Sequence, residues 1–296
     1  MNKHLLLFTL LFILSFSIFA QQIRLNEENN YFEIINKSAT EFEFLNSVSE
    51  LSTKHIKTKE GVFQKLIVNG YATNADYGKA ELPVLKKLFR IPFGAEPILK
   101  IIQLQEESIS LSDYGIAHAV FPNQPSISKA DDAEKVSFIY DRGYYNNNQF
   151  NENPKVKIDM LGKIRGQQIA RLNISPFSYN PVANQLKIIT KIEAKVVFKD
   201  ADLAADLSIR KRYFNPNFEH QFKQFVNYLP LPEKDVITTY PVKYVIISDP
   251  MFQSILQPFV EWKTKKGFMV VEGYTNNPLV GNTTSSIKAF IKNMYD

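Results

Sequence analysis

Apolar and polar residues alternate along the first two thirds of the chain, which is the pattern of half-buried β-strands. The clearest run extends from Leu186 to Phe198, where the apolar residues fall on one face and Lys or Glu on the other. It predicts an antiparallel strand, or two strands separated by a break. Frequent turn signals and the lack of a long helical pattern favour a β-sandwich over residues 21–205. Shorter alternating runs occur at 31–35, 41–45, 63–68, 88–91 and 98–104.

The spacing of the apolar residues changes in the last part of the chain, residues 241–296. Tyr244–Ile247 and Phe268–Val271 are apolar runs that predict buried strands, and a helical pattern follows each of them. This β-α-β-α order predicts the start of a parallel sheet with covering helices. Pro258 is expected in the first turn of the first helix, with Trp262 packed beside the sheet and Lys263 facing water. Two strands cannot close an open sheet, so we expect a longer protein of which this is the front part.

Residues 206–240 read as a connector between these two regions. Arg210, Lys211 and Arg212 lie near its start, and Leu229-Pro230-Leu231-Pro232 would break any helix. An exposed, unpaired segment is where a protease can seat an extended backbone. The basic triplet is therefore the preferred processing site, with a cut after Arg212, and the segment 229–239 is the second candidate.

Residues 1–20 have the pattern of a signal peptide. Lys3 precedes an apolar core that ends at Ala20, and the core is short for a membrane span. Cleavage is expected after Ala20, leaving no stable span, and an uncleaved anchor is the alternative. The rest of the protein is then expected to fold outside the cytoplasm.

Composition narrows the chemistry further. The net charge is +5 and the positive residues are scattered, whereas a nucleic-acid site would need a continuous basic face. The chain has no cysteine, and its four histidines are far apart in sequence with no metal-ligand spacing. No catalytic or phosphate-binding motif occurs. We therefore expect no nucleic-acid partner, no metal site and no catalytic residue.

Three stretches resemble the precursors of gingipain-type, caspase-like cysteine peptidases of Bacteroidetes. Residues 165–181, with the strand 186–198, look like the closing strands of the gingipain propeptide. Residues 244–247 and 257–267 are similar to the first βα unit of the peptidase domain. Residues 78–83 resemble a Gly-x-Pro-x-Leu-Pro element, with Ala80 where proline is usual.

The resemblance implies a β-rich propeptide followed by the start of a cysteine endopeptidase, made as a secreted prepro-form. In such enzymes a thiolate attacks the peptide carbonyl and a histidine exchanges the proton. Both residues lie on later strands of the family's domain, so neither is carried over here. The partners implied are the downstream peptidase domain and its peptide substrates, and calcium is a cofactor that the family often binds. The location implied is the outside or outer-membrane surface of a Gram-negative bacterium.

A propeptide of this kind is expected to help the enzyme fold and to hold it inactive through loops that occupy the substrate path. The polar stretch 122–134 is such a loop, and Lys129 is a candidate mimic of a basic substrate residue. Arg142, in Asp141-Arg142-Gly143, is the second candidate. Two other functions stay open at this point: the sortase-like component of the type IX secretion system, and a free-standing β-sandwich binding or inhibitor module.

Overall fold

The structure is a computed structural model that describes residues 21–130, 135–151, 154–231 and 242–295. The expected signal peptide, residues 1–20, lies outside the described residues. The chain divides into two compact units. The first comprises the residues up to 209 together with 221–230, and the second comprises 210–220 with the residues from 231 onwards.

In its described part, the first unit is built from twelve strands that pair antiparallel. They form three sheets, with the orders β1-β4-β5, β6-β7-β10-β9 and β11-β12-β3-β2, and β8 also pairs with β12. The prediction of a β-rich first region is confirmed. The strands are β1 (Gln21–Arg24), β2 (Tyr31–Lys37), β3 (Glu41–Ser47), β4 (Glu50–Thr58), β5 (Gly61–Ile67), β6 (Ala72–Thr73), β7 (Pro83–Ile91), β8 (Glu96–Ser110), β9 (Val156–Ile164), β10 (Gln167–Ile174), β11 (Phe177–Asn180) and β12 (Gln185–Lys199).

Strand β12 is the centre of the first unit. It pairs with β8 along one edge, and with β11 and then β3 along the other. It is one continuous strand, so the expectation of two strands with a break is wrong. The register shifts instead at two bulges, between Ile189 and Lys191 and between Glu193 and Ala194. Such bulges bend a long strand without ending it.

Two hydrophobic cores lie on the buried faces of these sheets. One joins β3 and β12 to β7 and β10 and contains Phe42, Phe89, Leu172 and Val196. The other joins β4 and β5 to β11 and the start of β12, with Tyr179 fully buried in it. The apolar face predicted for 186–198 is the buried face of β12, because the alternation places every second side chain inside.

The described residues also form five helices: α1 (Arg142–Tyr145), α2 (Leu203–Arg212), α3 (Pro216–Phe222), α4 (Gln253–Lys265) and α5 (Thr284–Tyr295). Single 3₁₀ turns lie at Leu111–Tyr114 and Pro250–Phe252. Helix α2 falls in the predicted connector. The Asp202 carboxylate accepts a hydrogen bond from the Ala205 amide, at 2.9 Å, near its start. In the described part of the chain, no helix combines the length and apolar character that crossing a membrane requires.

The second unit has the predicted β-α-β-α order. Strands β13 (Lys243–Ser248) and β14 (Met269–Tyr274) pair in parallel, with α4 between them and α5 after them. Gly273 of β14 admits the closely packed ring of Phe290 from α5, since a Cβ there would lie 2.9 Å from that ring.

Three expectations for helix α4 are wrong. The helix begins at Gln253, so Pro258 lies inside it rather than in its first turn. Trp262 is 49% exposed rather than core. The Lys263 ammonium does not simply face water, because it lies 4.4 Å from the Trp262 ring centroid and 4.8 Å from that of Tyr244. Cation–π attraction explains this placement.

Candidate functional site

The polar stretch that carries Lys129 is a loop whose two ends are closed by one side chain. The Gln124 Nε2 donates to the Ile139 carbonyl at 2.8 Å, and the Ile139 amide donates to Gln124 Oε1 at 2.9 Å. This pair of bonds imitates the exchange between two residues of an antiparallel ladder. The Gln124 side chain therefore joins the two ends of the loop.

Backbone hydrogen bonds attach the base of this loop to the turn at Gly78. The Gly78 amide donates to the Asn123 carbonyl at 2.8 Å, and the Asp141 amide donates to the Gly78 carbonyl at 3.0 Å. Gly78 has φ +81°, and a Cβ there would lie 3.0 Å from Ile139 Cγ2. Any larger residue would be strained and would push on the loop, so this position suits only glycine.

Aromatic rings pack against the returning arm of the loop. Phe138 stacks on Phe63 of β5, with ring centroids 5.7 Å apart, and also contacts Phe121. Tyr140 stacks on Tyr145 at 4.4 Å. Such pairs add stabilisation beyond the area they bury. The arm is therefore held to the first unit by side chains as well as by backbone.

Two buried tyrosines fix the chain just before the loop. The Tyr145 hydroxyl donates to the Val120 carbonyl at 2.6 Å. The Tyr179 hydroxyl accepts from the Val120 amide at 3.3 Å and donates to Asn184 Oδ1 at 2.9 Å. Burial raises the pKa of both, to about 12 for Tyr179. Both rings stay neutral at physiological pH, and their hydroxyls satisfy both backbone groups of Val120.

The two candidate basic residues occupy different positions relative to the closure. Lys129 is exposed within the loop, and the structure gives it no hydrogen bond or ion pair to another described residue. Residues 131–134 of the loop lie outside the described part. Arg142 is exposed beyond the closure, on helix α1, whose start is capped by the Asp141 carboxylate at 2.9 Å from the Tyr144 amide. Lys129 therefore lies within the loop that Gln124 closes, and Arg142 lies at the base of that loop.

The basic triplet lies in a helix. Arg210, Lys211 and Arg212 form the last turn of α2, where their charges complement the helix dipole. Arg210 and Lys211 are half-buried, and only Arg212 is exposed. The expectation that the triplet lies in an exposed, unpaired segment is therefore wrong. Most of the second processing candidate, from 232 to 239, lies outside the described residues.

An ion pair that the sequence pattern did not indicate holds α2 to the first unit. The Arg90 Nη1 on β7 donates to Asp206 Oδ1 at 2.5 Å, and the same carboxylate oxygen accepts the Phe93 amide at 3.0 Å. Both side chains are almost fully buried. A buried charge of this kind is tolerated only when it is paired and hydrogen-bonded.

The chain after α3 covers the free edge of β7. The Val226 amide donates to the Leu88 carbonyl at 3.0 Å. The Asn227 side chain accepts the Arg90 amide at 2.9 Å and donates to the Arg90 carbonyl at 2.7 Å. Phe222 and Phe225 pack on Ile169 nearby. Residues 221–230 therefore act as a short substitute for an edge strand.

Comparison with known proteins identifies the family of this chain. The Propeptide_C25 family model matches residues 28–229. The chain belongs to the Propeptide_C25 family. It is 34% identical over 296 residues to Lys-gingipain of Porphyromonas gingivalis, a match that takes in 99% of this chain and 17% of that protein. It is 24% identical to gingipain R1 of the same organism, over all of this chain and 17% of that protein.

Solved structures agree with the family assignment. A structure described as an insight into the zymogenic latency of gingipain K matches with a TM-score of 0.59 at 34% identity, over 62% of this chain and all of that one. A complex of RgpB pro- and mature domains matches with a TM-score of 0.54 at 18% identity, which supports the fold alone. The prediction of a gingipain-type propeptide domain is confirmed, and neither alternative function is favoured. The chain spans about a sixth of the length of Lys-gingipain and of gingipain R1.

Proposed function

We propose that this chain is the front part of a secreted gingipain-type cysteine peptidase precursor, and that its first unit keeps the downstream peptidase domain latent. Residues 242–295 would begin that caspase-like domain, whose order β-α-β-α is compatible with a parallel sheet. The signal peptide would end at Ala20 and direct export from the cytoplasm, and type IX secretion would then carry the protein to the outside of a Gram-negative cell.

The loop closed by Gln124 supports an inhibitory contact. Hydrogen bonds fix the two ends of this loop, so less entropy is lost when it enters a cleft than for a loop with free ends. Lys129 lies exposed in that loop and has the shape and charge of a basic substrate residue. We therefore assign Lys129 to the substrate pocket and Arg142 to the loop base, where it leaves the cleft untouched.

The test uses the purified chain as an inhibitor of the mature peptidase domain of its own precursor. Residual hydrolysis of lysyl and arginyl peptides gives the inhibition constant. Lys129→Ala is expected to weaken inhibition by about thirtyfold or more, because an anchor in a desolvated pocket contributes about 2 kcal/mol or more. Arg142→Ala and Lys100→Ala, an exposed lysine on β8, should change it by less than about twofold.

Each departure from that result has its own meaning. If Arg142→Ala weakened inhibition as much as Lys129→Ala, the inhibitory contact would include the base of the loop. Unchanged inhibition by Lys129→Ala would exclude the proposed anchor. No inhibition by the unaltered chain would exclude the latency function itself.

Processing is proposed to occur after Arg212. This residue is the last of α2 and is exposed, and the final turn of a helix opens most readily. Sequencing the N-terminus of the mature secreted protein should give Tyr213. Arg212→Gln should abolish that terminus, whereas Lys223→Gln should leave it unchanged. A mature, active protein that starts at Gln21 would refute the propeptide role.

A further inference from the structure

Two histidines that are distant in sequence meet in the first unit. The rings of His55 and His118 lie edge to face, with centroids 5.4 Å apart and an interplanar angle of 85°. Both side chains are exposed. Because the two residues are far apart along the chain, their spacing in the sequence does not indicate this pair.

The backbone fixes both histidines against the same residue, Gln64. In the β4–β5 pair, His55 lies directly opposite Gln64. On the other side of β5, the Gln64 amide donates to the Ala119 carbonyl and the Phe121 amide donates to the Gln64 carbonyl, both at 2.8 Å. His118 directly precedes Ala119, so its position follows from this pairing. His55 thus lies on β4, and His118 lies in a bend two residues before the bridge between Val120 and Gln64.

Gln64 also supplies an unpartnered polar atom. Its side chain is 1% exposed, and its Oε1 is buried without a hydrogen-bond partner among the described residues. Residues directly opposite in an antiparallel pair share one face of the sheet, so the Gln64 side chain and His55 lie on the same face. A buried acceptor without a partner is costly and points to a group that the protein atoms do not provide.

We propose that His55 and His118 bind one divalent transition-metal ion of the Zn²⁺, Ni²⁺ or Cu²⁺ class. Imidazole nitrogen is a preferred ligand of these metals. With metal–nitrogen bonds of about 2.0–2.1 Å and a tetrahedral angle of about 109°, two rings sharing an ion have centroids about 5 Å apart. The observed 5.4 Å matches that spacing.

Water completes the coordination of this ion. The described residues contain no group of three or more His, Cys, Asp or Glu side chains that could hold a metal, so the protein offers two nitrogens. Lys54 and Lys57 on β4 are exposed, where solvent and salt screen their repulsion of the ion.

Isothermal titration calorimetry of the purified, tag-free and EDTA-treated chain with ZnCl₂, NiCl₂ or CuCl₂ alone tests the site. One ion per chain is expected. His55→Ala and His118→Ala should each weaken the dissociation constant by at least about tenfold, because each removes one of two imidazole ligands. His220→Ala is the matched control, since His220 is also exposed but lies on helix α3. It should leave binding unchanged.

Electron paramagnetic resonance of the Cu²⁺ form provides a second measurement. It reports the nitrogen ligands of the ion directly, so it does not depend on the folding stability of the variants. Hyperfine splitting from two ring nitrogens is expected in the unaltered chain, and from one nitrogen in either single variant. Absence of saturable binding would overturn the proposal. Binding that survives both single substitutions, or that disappears with His220→Ala, would overturn it equally.

Discussion

Arg90 and Asp206 form an ion pair that is withdrawn from water, with 2.5 Å between Nη1 and Oδ1 and side chains only 8% and 10% exposed. The pair joins β7 to helix α2 across more than one hundred residues of sequence. Arg90 also exchanges backbone hydrogen bonds with the Asn227 side chain. One residue of β7 thus holds the chain both before and after the basic triplet.

Removing one member of this pair should strongly destabilise the first unit. Asp206→Ala leaves the Arg90 charge buried and unpaired, which costs about 3–5 kcal/mol of unfolding free energy. Glu27→Ala is the matched control, because Glu27 pairs with Arg24 at 3.8 Å in an exposed position, where a pair contributes at most about 1 kcal/mol. Urea unfolding followed by circular dichroism measures both. Equal losses in the two variants would contradict the assigned role of the buried pair.

Gln124 should control the rigidity of the loop without controlling the fold. Gln124→Ala removes the two hydrogen bonds to Ile139, each contributing about 0.5–1.5 kcal/mol. A lysine-specific endoprotease should then cut after Lys129 faster than in the unaltered chain. Gln103→Ala, an exposed glutamine on β8, should leave the rate unchanged. If both variants are cut at the rate of the unaltered chain, the closure does not restrain the loop.

The buried tyrosines should make the first unit sensitive to alkali. Burial raises the pKa of Tyr179 and of Tyr71 from 10.0 to about 12, despite the hydrogen bond from Tyr71 to Asn46. Below pH 10 both the folded and the unfolded chain keep these phenols neutral. Between about pH 10 and 12 only the unfolded chain ionises them, so stability falls as pH rises.

Phenolate absorbance during an alkaline titration, recorded together with circular dichroism, measures this effect. These tyrosines should ionise only in the same step in which the strand signal is lost. Tyr71→Phe should reduce the pH dependence of the unfolding free energy above pH 10. Ionisation of all fourteen tyrosines before any unfolding would contradict the buried environment.

Most of the strands can be predicted from the local alternation of apolar and polar residues. The buried face of β12, which contains Leu186 and Phe198, can be predicted because side chains two residues apart in a strand lie on the same face. The parallel strands β13 and β14 were predicted for a similar reason, as short runs of β-branched residues. These are properties that a window of ten residues contains.

The features that the sequence pattern does not indicate depend on contacts between residues far apart in the chain. Helix α2 has no apolar stripe, and its stability depends on Asp206 meeting Arg90, which no periodicity reveals. His55 and His118 meet only because segments around Gln64 pair in space. The position of Pro258 inside α4 is likewise not given by the local rule that proline breaks a helix. The likeness to the gingipain family, by contrast, was readable from three sequence stretches.

The double attachment at β7 means that a break at Arg212 would be a nick rather than a separation. The upstream fragment would end in a helix pinned through Asp206, while the downstream fragment would keep Val226 and Asn227 bonded to the β7 edge. The two pieces would then complement each other as subunits of a heterodimer do. Native chromatography would report one particle and a denaturing gel two. Departure of the propeptide would need a further event that peels residues 221–230 from the sheet.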